Sequence, residues 1–190
     1  PSSISADAPE QAFDLAVGWL FAGSEAEAVR WCTAGEELLE GARSPRAEAT
    51  WAVIALMQGA IDRARAHVDA FRHLVDEPSP GGPIERRFAT VAARVALLDE
   101  RLDDATDWVR AAQSLRHPPV VADVLVPMLM AWLELEAGEL VRARELGWRA
   151  VTAADRFGAR PHFGTLDALL VTARSCLALG ELREADDLLE

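Results

Sequence analysis

The residues that could do chemistry are few and poorly placed for it. Four histidines occur: His67, His73, His117 and His162. His67 and His73 are six apart, which puts them on different faces of one helix, so they cannot share a metal. All four read as surface or loop residues. No CxxC or HExxH spacing occurs, and there is neither a Walker-type loop nor a GxGxxG to cradle phosphate. Cys32 and Cys176 sit far apart in separate helical patterns and read as small buried hydrophobes, not as a disulfide. Ser114 and Ser175 lack the strand–turn–helix setting of an activated nucleophile. The carboxylate pairs Glu36-Glu37, Asp103-Asp104 and Asp186-Asp187 fall at helix starts or on outer faces, where solvation is the default. Asp103 and Asp104 also suit the positive end of a helix. These residues point away from an enzyme, and no cofactor or metal is expected.

One constellation suits binding instead. Of the tryptophans Trp19, Trp31, Trp51, Trp108, Trp132 and Trp148, most read as core between packed helices. Trp132 differs, because it shares a repeat column with Arg94 and Arg174. Arg87 lies on the same helix face as Arg94. Arginines beside a tryptophan can hold an anionic or sugar-like ligand, by charge at the sides and stacking in the middle. Arg87, Arg94, Trp132 and Arg174 are therefore the candidate ligand-binding residues. The competing reading pairs these arginines with nearby carboxylates such as Glu134 and Asp167.

Composition bounds what these residues can serve. The chain has 190 residues and is 51% hydrophobic, enough for one domain or a short solenoid. Ala and Leu dominate over Val and Ile, which favours helices. Lys and Tyr are absent. The net charge of -12 repels nucleic acid, so no direct nucleic-acid contact is expected of this segment. No apolar run is long enough to span a membrane, and the start PSSISADAPE carries no secretory signal. A cytoplasmic location is the expectation. The missing initial Met, and a last helix that stops uncapped at Glu190, are what a piece excised from a longer chain would show.

The elements that position these residues come from an internal repeat. Gly23, Gly59, Glu100, Gly138 and Gly180 stand 36, 41, 38 and 42 residues apart. Seven residues before each stands an alanine: Ala16, Ala52, Ala93, Ala131 and Ala173. Three before each stands a leucine: Leu20, Leu56, Leu97, Leu135 and Leu177. Five after each stands another alanine: Ala28, Ala64, Ala105, Ala143 and Ala185. Alanine and leucine four apart share one helix face, so the alanine permits close helix approach and the leucine fills the space beside it. The glycine ends the first helix of a hairpin, and the second alanine packs back from the second helix. Glu100 in a glycine column predicts a tighter or strained turn. The column six before each anchor reads Val17, Val53, Arg94, Trp132, Arg174, on the inner face of such a stack.

Ten helices are predicted, at about 9–22, 25–40, 45–58, 60–75, 84–99, 102–116, 120–137, 139–157, 161–179 and 181–190. Ser44-Pro45 reads as an N-cap followed by proline at the first helical position. DEPSPGGP, His117-Pro118-Pro119 and Gly158 to Pro161 are breaks between units. Pro127 should kink the seventh helix or mark its true start. The expected fold is all-α, a right-handed superhelix of about five tetratricopeptide-like helical hairpins in one domain over 1–190, with units at about 9–40, 45–75, 84–116, 120–157 and 161–190.

The anchor columns resemble the tetratricopeptide pattern, with a longer and more variable period. The stretch AWLELEAGELVRARELGWRAVTAADRFGARPHFGTLDALLVTARSCLALGELREADDLLE is similar to the helical repeat region of large ATP-dependent LuxR-type activators, the MalT-like class. Such repeats carry a turn like DRFGARP, then a helix and a hairpin like ALGELREADDLL. The resemblance covers roughly residues 45–190. It implies an effector-sensing, autoinhibitory role, coupled to an ATPase domain before this segment and a helix-turn-helix DNA-binding domain after it. It carries over no functional residue. The implied partners are neighbouring domains of the same chain, a protein partner or a small-molecule effector, with self-association left open. The alternative is a free-standing scaffold that binds a peptide or partner protein.

Overall fold

A computed structural model describes residues 8–75, 83–115, 117, 119, 121–157 and 163–188, with the backbone alone for 21, 83–87, 163 and 164. Among the described residues there are ten α-helices: α1 (Ala8–Phe21), α2 (Glu25–Leu38), α3 (Pro45–Met57), α4 (Ile61–Leu74), α5 (Pro83–Leu98), α6 (Leu102–Ser114), α7 (Val126–Glu136), α8 (Leu140–Arg156), α9 (Phe163–Leu179) and α10 (Leu182–Asp187). No strand occurs among them. The breaks expected at 76–82, at Pro118 and at 158–161 lie outside the described residues, as does His162.

The anchor column explains the hairpins. Gly23, Gly59, Gly138 and Gly180 adopt positive φ of 78, 68, 82 and 80°, and Glu100 adopts 57°. At each turn the anchor N–H donates to the carbonyl three residues back, as in Gly59 to Leu56 at 3.0 Å. The next N–H donates five residues back, as in Ala60 to Ala55 at 2.9 Å. This pair of bonds satisfies the last carbonyls of the first helix in a Schellman motif. The second helix then starts at once, its column alanine donating to the residue after the anchor, as in Ala64 to Ala60 at 3.0 Å. Glu100 makes the same bonds, to Leu97 at 3.1 Å and from Arg101 to Ala96 at 2.9 Å. Its turn has the same form as the others, so the cost falls on the residue, whose Cβ disfavours a left-handed backbone.

Both alanine columns are buried, Ala16, Ala52, Ala93, Ala131 and Ala173 on one helix against Ala28, Ala64, Ala105, Ala143 and Ala185 on the other. Two close approaches carry no signal in those columns. A Cβ on Gly35 would come 2.6 Å from the Phe13 ring, and one on Gly147 would overlap the Thr172 side chain. These glycines are spacers that let the helices touch.

Helix starts follow local chemistry. Ser44 caps α3 by accepting from the Arg46 N–H at 3.2 Å, with Pro45 at the first helical position. Pro127 lies in the first turn of α7, where its missing N–H removes no essential bond. A π-helical turn, Val121–Leu125, precedes it, so the helix expected from residue 120 begins in wider winding and becomes α-helical only at Val126.

The chain divides into two compact units, Pro1–Val91 and Ala92–Glu190. In the first, Phe13, Leu20, Cys32 and Ile54 form a cluster joining hairpin α1–α2 to α3, and Phe71 of α4 stacks on Phe88 of α5 at 3.5 Å between centroids. In the second, Val109, Met128, Leu129, Val151 and Ala168 form a cluster shared by α6 to α9, with Ala93 of α5. The fold is all-helical and built of tetratricopeptide-like hairpins.

Candidate ligand-binding face

The repeat register brings Trp132 and Arg174 to the same position of successive first helices, α7 and α9. The structure joins them: the Arg174 guanidinium carbon lies 5.1 Å from the Trp132 ring centroid. Trp132 is half-buried against the α6–α9 cluster, and Arg174 is exposed. An exposed cation–π pair of this kind is worth about 0.5–1 kcal/mol. Its larger consequence is geometric. The contact positions the guanidinium beside the ring, where its N–H donors can meet a carboxylate or phosphate.

Arg94 takes a different course. Its Nη2 lies 2.6 Å from Asp167 Oδ2, linking α5 to α9. The two side chains are only 17% and 20% exposed. Burial pushes the Arg94 guanidinium down and the Asp167 carboxyl up, each against the pull of its partner. Desolvation outweighs attraction for both, so this pair fixes geometry more than it stabilises. Of the two carboxylates weighed from sequence, Asp167 engages Arg94, whereas Glu134 engages Arg142 at 2.8 Å. Arg87 lies in α5, and its side chain is outside those described.

The remaining chemistry-bearing residues are accounted for locally. Ser175 is buried and donates to Val171 O at 2.8 Å, and Ser114 donates to Ala111 O at 2.7 Å. His67 Nδ1 meets Glu48 Oε2 at 2.7 Å across α3 and α4. His117 Nε2 meets Ala112 O at 2.7 Å. Cys32 and Cys176 are both buried free thiols. Burial, then Glu36 and Glu48, push the Cys32 thiol far above its ordinary range.

Two features escaped the sequence reading. Cys176, Glu181 and Glu184 bring potential metal-ligand atoms within 4.8 Å of one another at the α9–α10 turn. The turn itself assembles them, since they lie four before, one after and four after Gly180. However, Arg144 already ion-pairs with Glu181, and burial raises the Cys176 thiol, which opposes the thiolate a metal requires. The second feature is an open cleft of about 450 Å³ between Asp123 and the outer face of α8, at Glu145, Trp148, Arg149, Thr152 and Arg156. Trp148, expected from sequence in the core between packed helices, lies instead on this face and is 37% exposed.

No family model matches the chain, and no curated protein matches it. A solved structure does: a crystal structure of the nearly identical TPR-like repeats of a Podosopora anserina putative kinesin light chain. The TM-score is 0.56 over 98% of this chain and 94% of that one, at 19% sequence identity. The likeness is one of fold, and it identifies the hairpins as tetratricopeptide-like.

Proposed function

We propose that this chain is a binding and coupling module: the regulatory repeat domain of a multidomain transcriptional activator of the LuxR type. On this reading it takes an effector or partner domain on the Trp132–Arg174 face. It passes that event to ATPase and DNA-binding domains carried elsewhere. The observation that carries the binding function is the exposed Arg174 guanidinium, its carbon 5.1 Å from the centroid of the half-buried Trp132 ring, at matching positions of two successive hairpins. The regulatory setting is supported by the DRFGARP turn and the ALGELREADDLL hairpin that resemble those activators. The net charge of -12 is consistent with leaving DNA contact to another domain.

Thermal-shift screening of the purified chain against sugars, nucleotides, amino acids and an acidic peptide tests this. A small anionic or sugar ligand that raises the melting temperature of the native chain, and not of Trp132→Ala, is the expected result. Stabilisation by the peptide alone would favour the free-standing scaffold. A blank across the whole panel would contradict binding at this face.

A further inference from the structure

Three departures from the repeat meet in the cleft between the π-helical turn and α8. Positions in each second helix can be counted forward from the residue of positive φ. The tenth holds Thr33, Asp69 and Arg110 in the first three hairpins and Trp148 in the fourth. The eleventh holds Ala34, Ala70 and Ala111, all half-buried, and then the exposed Arg149. The fifteenth holds Leu38, Leu74 and Leu115, and then Ala153. Polar residues serve the tenth position elsewhere, so the hairpin does not require an indole there. Where the other hairpins carry leucine, Ala153 lines the cleft and leaves room in it. α8 also runs 17 residues, against 14, 14 and 13 in α2, α4 and α6, which carries Arg156 past the point where the others end. The hairpin is an interior one, sharing a cluster with α6 before it and α9 after it.

The chemistry of the lining narrows the ligand. Glu145, Arg149, Thr152 and Arg156 follow one another at three- and four-residue spacing, so they share one face of α8. Asp123 lines the cleft from the π-helical turn, a winding that recurs at functional sites. Among the described residues, the side chains of Glu145, Arg149 and Thr152 make no hydrogen bond or ion pair. Arg156 is held loosely, 3.8 Å from Asp123 Oδ2, with its guanidinium carbon 5.9 Å from the Phe157 ring centroid. Two guanidinium groups, two carboxylates and one indole thus surround about 450 Å³, a volume suited to a small molecule. A phosphate ester would meet Asp123 and Glu145 with like charge, and a simple cation would meet the arginines. A ligand with one charge of each sign satisfies both pairs, and an aromatic ring on it meets the indole.

We propose that this cleft binds a free α-amino acid with an aromatic side chain. The ligand carboxylate would accept from Arg149 and Arg156, and its ammonium would donate to Asp123 and Glu145. Its ring would pack beside Trp148 in the space that Ala153 leaves. The cleft shares no lining residue with the Trp132–Arg174 face, so the two sites stand or fall separately.

The test is calorimetric titration of L-phenylalanine and L-tryptophan into the intact chain. At least one should bind with one-to-one stoichiometry. 3-Phenylpropionate lacks the ammonium and 2-phenylethylamine lacks the carboxylate, so both should bind at least tenfold more weakly than phenylalanine, or not at all. Arg149→Ala and Trp148→Thr install residue types that the other hairpins carry at these positions, and each should weaken binding tenfold or more. If Trp148→Thr fails to fold, the exposed Arg149→Ala carries the test alone. Trp132→Ala should leave this binding unchanged. No binding of either amino acid up to about 10 mM would overturn the proposal. So would analogues of single charge that bind as well as the amino acid, or affinity that survives Arg149→Ala. Binding lost in Trp132→Ala and kept in Arg149→Ala would place the ligand on the other face and overturn this site alone.

Discussion

Glu100 holds the left-handed backbone that the other four hairpin turns assign to glycine. An L side chain there costs about 1–2 kcal/mol, and glycine's extra chain entropy returns roughly 0.5–1 of it. Glu100→Gly should therefore stabilise the chain by about 0.5–1 kcal/mol, whereas Gly59→Ala should destabilise it by about 1 kcal/mol or more. Urea unfolding of both variants checks the pair, and an unchanged midpoint in each would remove the strain assigned to the turn. The two thiols give a second outcome at this scale. Both are buried and raised, so both stay protonated well above neutral pH. Iodoacetamide at pH 8 should leave Cys32 and Cys176 unlabelled in the native chain and label both in denaturant. Rapid native labelling of Cys32 would contradict its placement.

Helix pairing was largely legible in the sequence, because the hairpin is specified by few residues. An alanine in each helix sets the approach, and one left-handed residue sets the turn. The helix starts at Glu25, Ile61, Leu102, Leu140 and Leu182 all follow from that residue, two positions earlier, without a side-chain cap. What was not legible depends on contacts between hairpins. The π-helical turn before Pro127 is one such feature, and the glycine spacers are another. Gly147 lies inside α8, where Thr172 occupies the space its side chain would need. Gly147→Ala gains about 1 kcal/mol in helix propensity but forces a Cβ against the Thr172 side chain and backbone, at about 1–3 kcal/mol. The net result should be a lower melting temperature. A higher one would mean that α8 and α9 are less closely packed than described.

At the scale of the whole molecule, charge and binding take over from packing. The candidate site was legible as a column of residue types, but not as partnerships. Sequence could not decide whether arginines at that position would face a ligand or a carboxylate, because the choice depends on how α5, α7 and α9 come together. Arg94 is engaged by Asp167, while Arg174 lies over Trp132. Replacing both members of the first pair, as Arg94→Met with Asp167→Leu, should be neutral or stabilising by about 1–4 kcal/mol, since burial outweighs their attraction. Arg94→Met alone should destabilise by about 3–5 kcal/mol, because it strands a buried carboxylate. A double variant as unstable as the single one would contradict that account. Binding at the Trp132–Arg174 face is tested most directly by calorimetric titration of the strongest thermal-shift ligand into the native chain, Trp132→Ala and Arg174→Ala, with each melting temperature measured alongside. Affinity should fall by tenfold or more in both variants, while the melting temperature of Arg174→Ala stays near that of the native chain. Undiminished affinity in both would contradict the site.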